Sequence, residues 1–278
     1  MNYRKKFVVE PGEQVHLDRI DPDFTGKFDS EEDAQGELTE RLERLDKLQY
    51  RLYAENKRSL LIVLQAMDAG GKDGTVRHVF SGMDPQGVYV HRFAEPTAEE
   101  KAHDFLWRAH RAAPAVGQVG IFNRSHYEDV LIVRVHDLVP KDVWSKRYDR
   151  IVEFEKTLAQ ADTQILKFFL HISKEEQLKR FEQRLDSPDK QWKISEADYT
   201  ERAYWDDYMR AYEDALEKTS TDRAPWYVIP SNHKWFRNLA VSRIIYETLK
   251  DLDPQPPAPH VDIEAIREKY HQAAAASR

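Results

Sequence analysis

The sequence predicts an α/β fold in which helices cover both faces of a five-stranded parallel sheet. Short apolar runs alternate along the chain with longer segments whose apolar residues recur every three or four positions. One of these runs, SLLIVLQAM at 59–67, is apolar at nearly every position, which is typical of a strand buried on both faces of a parallel sheet. Strands that alternate with helices favour a parallel sheet, because a crossover helix returns the chain to the edge where the next strand begins.

The first half of the chain is expected to supply three of the strands. Residues 1–36 are interpreted as an irregular N-terminal extension, because prolines and glycines punctuate them. Leucines then recur at steps of three and four from Leu38 to Leu52, which predicts an amphipathic helix over 37–57. The elements predicted after it are the strand 59–67, a helix over 75–83, the strand 87–93, a helix over 97–113 and the strand 119–125.

The second half continues the alternation. An apolar face from Trp144 to Leu158 predicts a helix over 142–161. Ser173 and Glu176 have the spacing of a capping box, which begins the next helix, and Pro188 ends that helix. The other predicted elements are the strand 164–173, a helix over 196–218, the strand 224–231 and a helix over 233–252. The Pro-rich segment DPQPPAPH opens a C-terminal tail, 254–278, which we interpret as a linker and a frayed helix.

Composition narrows the function classes. The chain has 278 residues, of which 41% are hydrophobic and 33% charged, as expected of a soluble globular protein. A net charge of -7 argues against nucleic-acid binding by overall charge. There is no cysteine, which excludes disulfides and thiolate chemistry. The apolar runs are far shorter than the ~20 residues of a membrane helix, and the N-terminus lacks the apolar core of a signal peptide. We therefore expect a cytoplasmic protein without a membrane partner.

The stretch LLIVLQAMDAGGKDGT, residues 60–75, joins the first buried strand to a helix. Glycines in such a turn let backbone N–H groups converge on phosphate oxygens, and the helix N-terminus adds a positive potential. Lys72 adds a mobile positive charge for a bridging or transferred phosphate. The sequence therefore predicts a phosphate-binding loop made of Gly70, Gly71, Lys72, Asp73, Gly74 and Thr75.

This loop departs from the common pattern G-x-x-x-x-G-K-[ST] at Ala66 and Asp73. A carboxylate beside phosphate is repulsive unless a cation lies between them, and Mg²⁺ prefers a few carboxylates with water and phosphate oxygens. We therefore interpret Asp68 as a metal ligand and Asp73 as a charge that stabilises the helix N-terminus. The structural alternative is a strand-to-helix turn that holds glycines and a lysine without binding phosphate.

The motif FNRSHYED, residues 122–129, follows the third predicted strand. Ligands of parallel sheets bind beyond the carboxyl ends of the strands, so this motif is expected beside the loop. Asn123 stands where P-loop enzymes usually place a metal-organising Asp. Arg124 can neutralise charge on a phosphoryl group during transfer. A surface ion pair is the alternative for Arg124, and His126 is expected to be a packed side chain.

Arg180 and Arg184 share one face of the helix that follows the fourth strand. Acidic residues on the same helix favour a solvated surface of mixed charge. In a phosphoryl-transfer fold, however, a helical hairpin at this place is the usual lid, and its arginines close over the phosphates. Both interpretations remain open at this level.

Five motifs taken together resemble polyphosphate kinase family 2: AMDAGGKDGT, FNRSHYEDVL, SKEEQLKRFEQRL, WDDYMRAYE and STDRAPWYVIPSN. The resemblance covers about residues 30–250, and FNRSHYED, with its Asn and Glu, is similar to the third class of that family. It implies a P-loop kinase-like three-layer sandwich with a helical lid at about 174–218, within a kinase domain spanning 37–253.

The resemblance also implies roles for single residues. Asp68 and Lys72 would serve the transferred phosphoryl group and Mg²⁺. The residues expected on the acceptor nucleotide and a second metal are Asn123, Arg124 and Glu128. Arg180 and Arg184 would bind polyphosphate from the lid, and Arg237 matches a basic position after the fifth strand.

The function implied is transfer of a terminal phosphoryl group from inorganic polyphosphate to nucleoside mono- and diphosphates. The implied cofactor is Mg²⁺, with Mn²⁺ as an alternative, and the implied assembly is a homo-oligomer. Two other functions fit the residues: an ATP-dependent nucleoside monophosphate kinase on the same fold, and a non-catalytic protein that binds polyphosphate.

Overall fold

The computed structural model describes residues 1–277, in which six strands form one sheet in the order β1–β6–β5–β2–β4–β3. All neighbouring strands are parallel except β1, which runs antiparallel to β6. The strands are β1 (Val8–Val9), β2 (Ser59–Gln65), β3 (Val88–Arg92), β4 (Val119–Asn123), β5 (Thr163–His171) and β6 (Trp226–Pro230). The five strands predicted from the sequence are confirmed, together with the parallel sheet.

Helices make up most of the remaining ordered structure. The α-helices are α1 (Tyr3–Phe7), α2 (Glu31–Glu55), α3 (Lys72–Val79), α4 (Ala98–Lys101), α5 (Trp107–Ala112), α6 (Ile132–Val135), α7 (Lys141–Trp144), α8 (Arg147–Gln160), α9 (Lys174–Asp186), α10 (Glu196–Ala203), α11 (Trp205–Thr219), α12 (Lys234–Leu252) and α13 (Ile263–Ala276). Short 3₁₀ helices lie at Leu17–Arg19, His126–Val130 and Pro188–Lys193. Within residues 1–277, no helix combines the length and the apolar character that crossing a bilayer requires.

The expectation that residues 1–36 are irregular was wrong for their first part. Asn2 caps α1 by accepting a hydrogen bond from Lys5 N, and β1 then pairs with β6 as a sixth strand. Tyr3, Phe7 and Val9 are buried, so this segment closes one edge of the core. A five-residue helix and a two-residue strand are too short to show a hydrophobic period, so the sequence pattern did not reveal them.

Two apolar layers lie on opposite faces of the sheet. Along β2, Leu61 and Val63 belong to the core that contains α8 and α11, whereas Leu60, Ile62 and Leu64 belong to the core that contains α12. Successive side chains of a strand point to opposite faces, so every residue of β2 is buried. This arrangement confirms the strand buried on both faces that the apolar run predicts, and the three-layer sandwich that the family resemblance implies.

The observed helix boundaries differ from the predicted ones where side chains cap backbone groups. α2 begins at Glu31, six residues before the expected start, because the Ser30 side chain accepts from Asp33 N. The helix expected over 97–113 is divided into α4 and α5, and between them Asp104 accepts a hydrogen bond from Leu106 N at 3.0 Å. Aspartate side chains that bond to nearby amides compete in this way with a continuous helix.

The sheet brings the two predicted site segments together. β2 and β4 are neighbours, and Leu64 pairs with Asn123 at their carboxyl ends. The loop after β2 and the turn after β4 therefore leave the sheet side by side.

Candidate active site

The loop between β2 and α3 turns on a glycine in the left-handed region of backbone conformation. Gly71 caps α3 at φ +106°, where a side chain is strained. A Cβ at this position would also lie 1.9 Å from Arg237 Nη1. Gly71 thus gives the chain its left-handed turn and allows a guanidinium to approach the backbone closely.

Lys72 is buried at the start of α3. Its ammonium group donates to Ala66 O at 2.8 Å and to Met67 O at 3.3 Å. Burial, and after it the positive charge of Arg124, lower the pKa of Lys72 to about 8. Lys72 is therefore positively charged at neutral pH, but its pKa lies only slightly above that pH.

Asp73 and Asn123 are joined across the site by one hydrogen bond. Asn123 Nδ2 donates to Asp73 Oδ1 at 2.8 Å. Burial alone would raise the pKa of Asp73, but this hydrogen bond and the nearby Lys193 lower it below its usual value. Asp73 also lies in the first turn of α3. Its carboxylate is therefore placed at a helix N-terminus and is hydrogen-bonded to a residue of β4.

Arg124 lies directly after β4 with φ +60°, and its amide donates to Leu64 O at 3.1 Å. Its guanidinium donates from Nη2 to Asp68 Oδ1 at 2.7 Å and from Nη1 to Glu128 Oε2 at 3.4 Å. The charge of Glu128 raises the pKa of Arg124, burial opposes it, and Asp68 adds to the increase. The structure thus brings Asp68, Arg124 and Glu128 into one charged group.

Asp68 and Glu128 are the carboxylates that this group could offer to a divalent cation. Both are side chains of partial exposure, 29% and 15%, rather than buried members of the core. Two carboxylates are a donor set that suits Mg²⁺, which takes its other ligands from water and substrate phosphates. The residues present therefore fit the Mg²⁺ that is expected from the sequence.

Arg180 is buried between the loop and the end of β6, although it lies on a helix of mixed charge. Its guanidinium donates to Ala69 O at 2.9 Å, to Ser231 O at 2.5 Å and to Asn232 O at 3.0 Å. Nε donates to Glu176 at 2.7 Å. Burial lowers its pKa. Arg180 is therefore part of the loop's surroundings and not a solvated charge.

Arg184 lies one turn further along α9 and has different contacts. It donates to Lys193 O at 3.2 Å and lies 3.5 Å from Asp198 Oδ1. These partners belong to the segment after α9, so the structure holds Arg184 within the helical hairpin and away from the loop backbone.

Arg237 at the start of α12 completes the group of cations. Its side chain is 2% exposed, and its nitrogens donate to Asn238 Oδ1 at 2.9 and 3.2 Å. Among residues 1–277 no carboxylate lies within ion-pair distance of it. Burial lowers its pKa to about 9, and Arg180 acts in the same direction. From the sequence only the family resemblance pointed to this residue, because a lone arginine on a helix carries no signal of its burial.

Comparisons with known proteins agree with this geometry. The family model described as polyphosphate kinase 2 matches residues 28–257. An AMP/ADP-polyphosphate phosphotransferase from Meiothermus ruber is 54% identical over 94% of this chain and 98% of its own length. An ADP-polyphosphate phosphotransferase from Rhodopseudomonas palustris is 48% identical over 89% of this chain and 90% of its own length.

A solved structure supports the same assignment. The crystal structure of polyphosphate kinase 2 from Arthrobacter aurescens superposes with a TM-score of 0.94 at 44% identity, and covers 98% of this chain and 97% of that one. Sequence, fold and the charged loop thus agree, and the resemblance found in the motifs is confirmed. The chain belongs to the polyphosphate kinase 2 family.

Proposed function

We propose that this protein transfers the terminal phosphoryl group of inorganic polyphosphate to nucleoside mono- and diphosphates, so that AMP becomes ADP and ADP becomes ATP. The names of the relatives from Meiothermus ruber and Rhodopseudomonas palustris describe transfer between polyphosphate and AMP or ADP. The chain covers nearly the whole length of both proteins, which supports the same activity here. Both nucleoside monophosphates and nucleoside diphosphates are proposed as acceptors, as in the third class of polyphosphate kinase family 2.

The observation that carries the proposal is an excess of buried positive charge around the loop. Lys72, Arg180 and Arg237 are all at most 9% exposed, and within residues 1–277 only Arg180 of these three lies within ion-pair distance of a carboxylate, that of Glu176. Burying a cation without a partner is costly, so these side chains suit a ligand that brings several negative charges. Polyphosphate carries such charges along its whole length and needs no pocket for a nucleoside.

In this proposal the chemistry is mainly positioning and charge stabilisation, as in other phosphoryl transfers. Lys72 and the loop amides of 70–75 hold the transferred group. Arg124, released from one of its carboxylates, neutralises charge on that group during in-line attack. Asn123 and Glu128 line the acceptor side.

A divalent cation, Mg²⁺ with Mn²⁺ as an alternative, would be held by Asp68 and Glu128. When bound it would neutralise phosphate oxygens that repel the attacking acceptor. Lys72 and Arg124 would orient the phosphates whether one or both of these carboxylates bind the metal.

The proposal further assigns the segment at about 174–218 to a lid, with Arg184 closing over the polyphosphate when it moves. Such a motion would exchange the partners of Arg184 within the hairpin for phosphate oxygens. We also propose a homo-oligomer and a cytoplasmic location, where the acceptor nucleotides are made and used.

A donor exchange tests the proposed function. The purified chain is given AMP with polyphosphate, and separately AMP with GTP, in the presence of Mg²⁺, and the nucleotides are separated by chromatography. ADP formed with polyphosphate and not with GTP supports the proposal. ADP formed with GTP alone identifies a nucleotide-dependent kinase, and tight polyphosphate binding without ADP identifies a binding protein.

A further inference from the structure

A network of polar side chains lies buried beneath the turn that follows β4. Lys167 on β5 donates all three ammonium protons, to Glu155 Oε2 at 2.6 Å, to Thr219 O at 2.7 Å and to Tyr127 Oη at 2.9 Å. Tyr127 Oη also lies 2.8 Å from Glu155 Oε1 and from Thr219 Oγ1. All four side chains are at most 2% exposed.

Tyr127 belongs to the same short turn as two residues of the candidate active site. Arg124 precedes it by three positions, and Glu128 follows it directly. Gln65 Nε2 holds the start of this turn by donating to Ser125 Oγ at 3.0 Å. The hydroxyl of Tyr127 is another point of attachment of this turn.

The network also reaches the last helix of the proposed lid. Thr219 is the final residue of α11, and this helix packs against the 3₁₀ helix His126–Val130 and against α8. Thr219 Oγ1 accepts a further hydrogen bond from Trp226 Nε1 at 2.9 Å. The Thr219 hydroxyl thus joins the end of α11 to the turn that carries Arg124 and Glu128.

Stability alone does not account for this arrangement. A buried ion pair often contributes no more than well-packed apolar residues of the same volume, because both charges lose their hydration. What the hydrogen bonds among these four side chains provide is one fixed geometry. Here that geometry relates β5, α8, α11 and the turn after β4.

We propose that Tyr127 is a positioning residue: its hydroxyl, held by the Lys167–Glu155 pair and by Thr219, fixes Arg124 and Glu128 relative to α11. The inference rests on the proposed function, because Arg124 and Glu128 act there on the phosphoryl group and the acceptor. Tyr127 itself touches no reacting atom. Its loss should therefore lower kcat for the acceptors and leave the KM for polyphosphate, which is bound by the loop, unchanged.

Tyr127→Phe tests the inference with Tyr89→Phe as its matched control. Tyr89 also loses one hydroxyl hydrogen bond, to Ala112 O at 2.5 Å, but on the edge strand β3. Initial rates with AMP and ADP are measured at a temperature where circular dichroism shows each variant folded. We expect kcat of Tyr127→Phe to fall at least about tenfold, since small misplacements of reacting groups are costly. Tyr89→Phe should keep the kcat of the wild type, even if its melting temperature falls.

A second pair of variants keeps the test decisive if Tyr127→Phe folds poorly. Thr219→Val removes the hydroxyl on α11, whereas Thr219→Ser keeps it, so only the valine variant should lose kcat. A wild-type kcat in either Tyr127→Phe or Thr219→Val would overturn the positioning role while leaving the proposed function intact. Absence of any polyphosphate-dependent transfer in the wild type would instead contradict the proposed function, and this inference with it.

Discussion

Asn123 Nδ2 donates a hydrogen bond to Asp73 Oδ1 across 2.8 Å, and this bond joins the end of β4 to the first turn of α3. A neutral amide can donate to a carboxylate, whereas a second carboxylate at position 123 could only repel it while both are ionised. Asn123 stands in place of the usual metal-organising Asp, and Asp73 stands in place of the usual loop hydroxyl. The hydrogen bond shows that these two departures fit each other.

Asn123→Asp should therefore destabilise the fold at neutral pH by about 1–3 kcal/mol, the cost of losing a partner for a buried polar group. The loss should shrink as the pH falls, because a proton shared by the two carboxyls restores a hydrogen bond. The exchanged variant Asn123→Asp with Asp73→Asn keeps one amide and one carboxylate, so it should recover the stability. Urea unfolding at pH 7 and pH 5 measures this, and equal stability of the single variant and the wild type would contradict it.

The loop's own charge predicts a pH dependence. The pKa of Lys72 is lowered from 10.5 to about 8 by burial and by Arg124, so kcat/KM for polyphosphate should fall as the pH rises through about 8. Between pH 8 and 10.5 the unfolded chain binds this proton more tightly, so the contribution of Lys72 to the unfolding free energy rises with pH. Activity and this stability term should therefore move in opposite directions. A kcat/KM that stays flat to pH 10 would contradict the role of Lys72.

Arg237→Met should weaken polyphosphate binding without lowering the stability of the fold. The variant removes a buried guanidinium that has no carboxylate partner among residues 1–277, so the melting temperature should hold or rise. The KM for polyphosphate should rise at least about tenfold, as expected for one charge-assisted contact to phosphate. Arg267→Met on the exposed helix α13 is the control and should alter neither quantity. A fall in melting temperature without a change in KM would make Arg237 a structural residue.

Metal dependence gives a further test, on Asp68. Chelation with EDTA should abolish transfer and Mg²⁺ should restore it, while Asp68→Asn should raise the Mg²⁺ concentration needed for half-maximal rate. Asp18→Asn is an informative control, because within residues 1–277 the one group of three side chains placed to share a metal is His16, Asp18 and Glu213. A shift in Asp18→Asn and none in Asp68→Asn would move the activating metal away from the loop.

The features that the sequence predicted are those with a strong local pattern. The apolar run at 59–67 predicted the buried strand that the structure has at Ser59–Gln65, and glycines before a lysine predicted the turn after it. The order of strands and helices then placed Asn123 beside that turn. The strand Val8–Val9 was missed because a two-residue strand has no measurable alternation.

Contacts made through the backbone were beyond prediction. Arg180 donates hydrogen bonds to the carbonyls of Ala69, Ser231 and Asn232. Every residue has a backbone carbonyl, so the sequence does not indicate which carbonyls a side chain will contact. The pairing of Asn123 with Asp73 depends on the register between β2 and β4, which propensities do not give. The network of Tyr127 and Lys167 was missed for the same reason, since its members come from four separate elements.

The central claim is that buried cations at this loop bind polyphosphate as a phosphoryl donor. The most direct measurement is the initial rate of ATP formation from ADP, with polyphosphate as the sole other phosphate source, for the wild type, Lys72→Met and Lys156→Met. Lys156 is a solvent-facing control on α8. We predict steady ATP formation by the wild type and Lys156→Met, and a rate lower by about 10²–10³ in Lys72→Met with a melting temperature that holds or rises. Equal rates in all three proteins would contradict the claim.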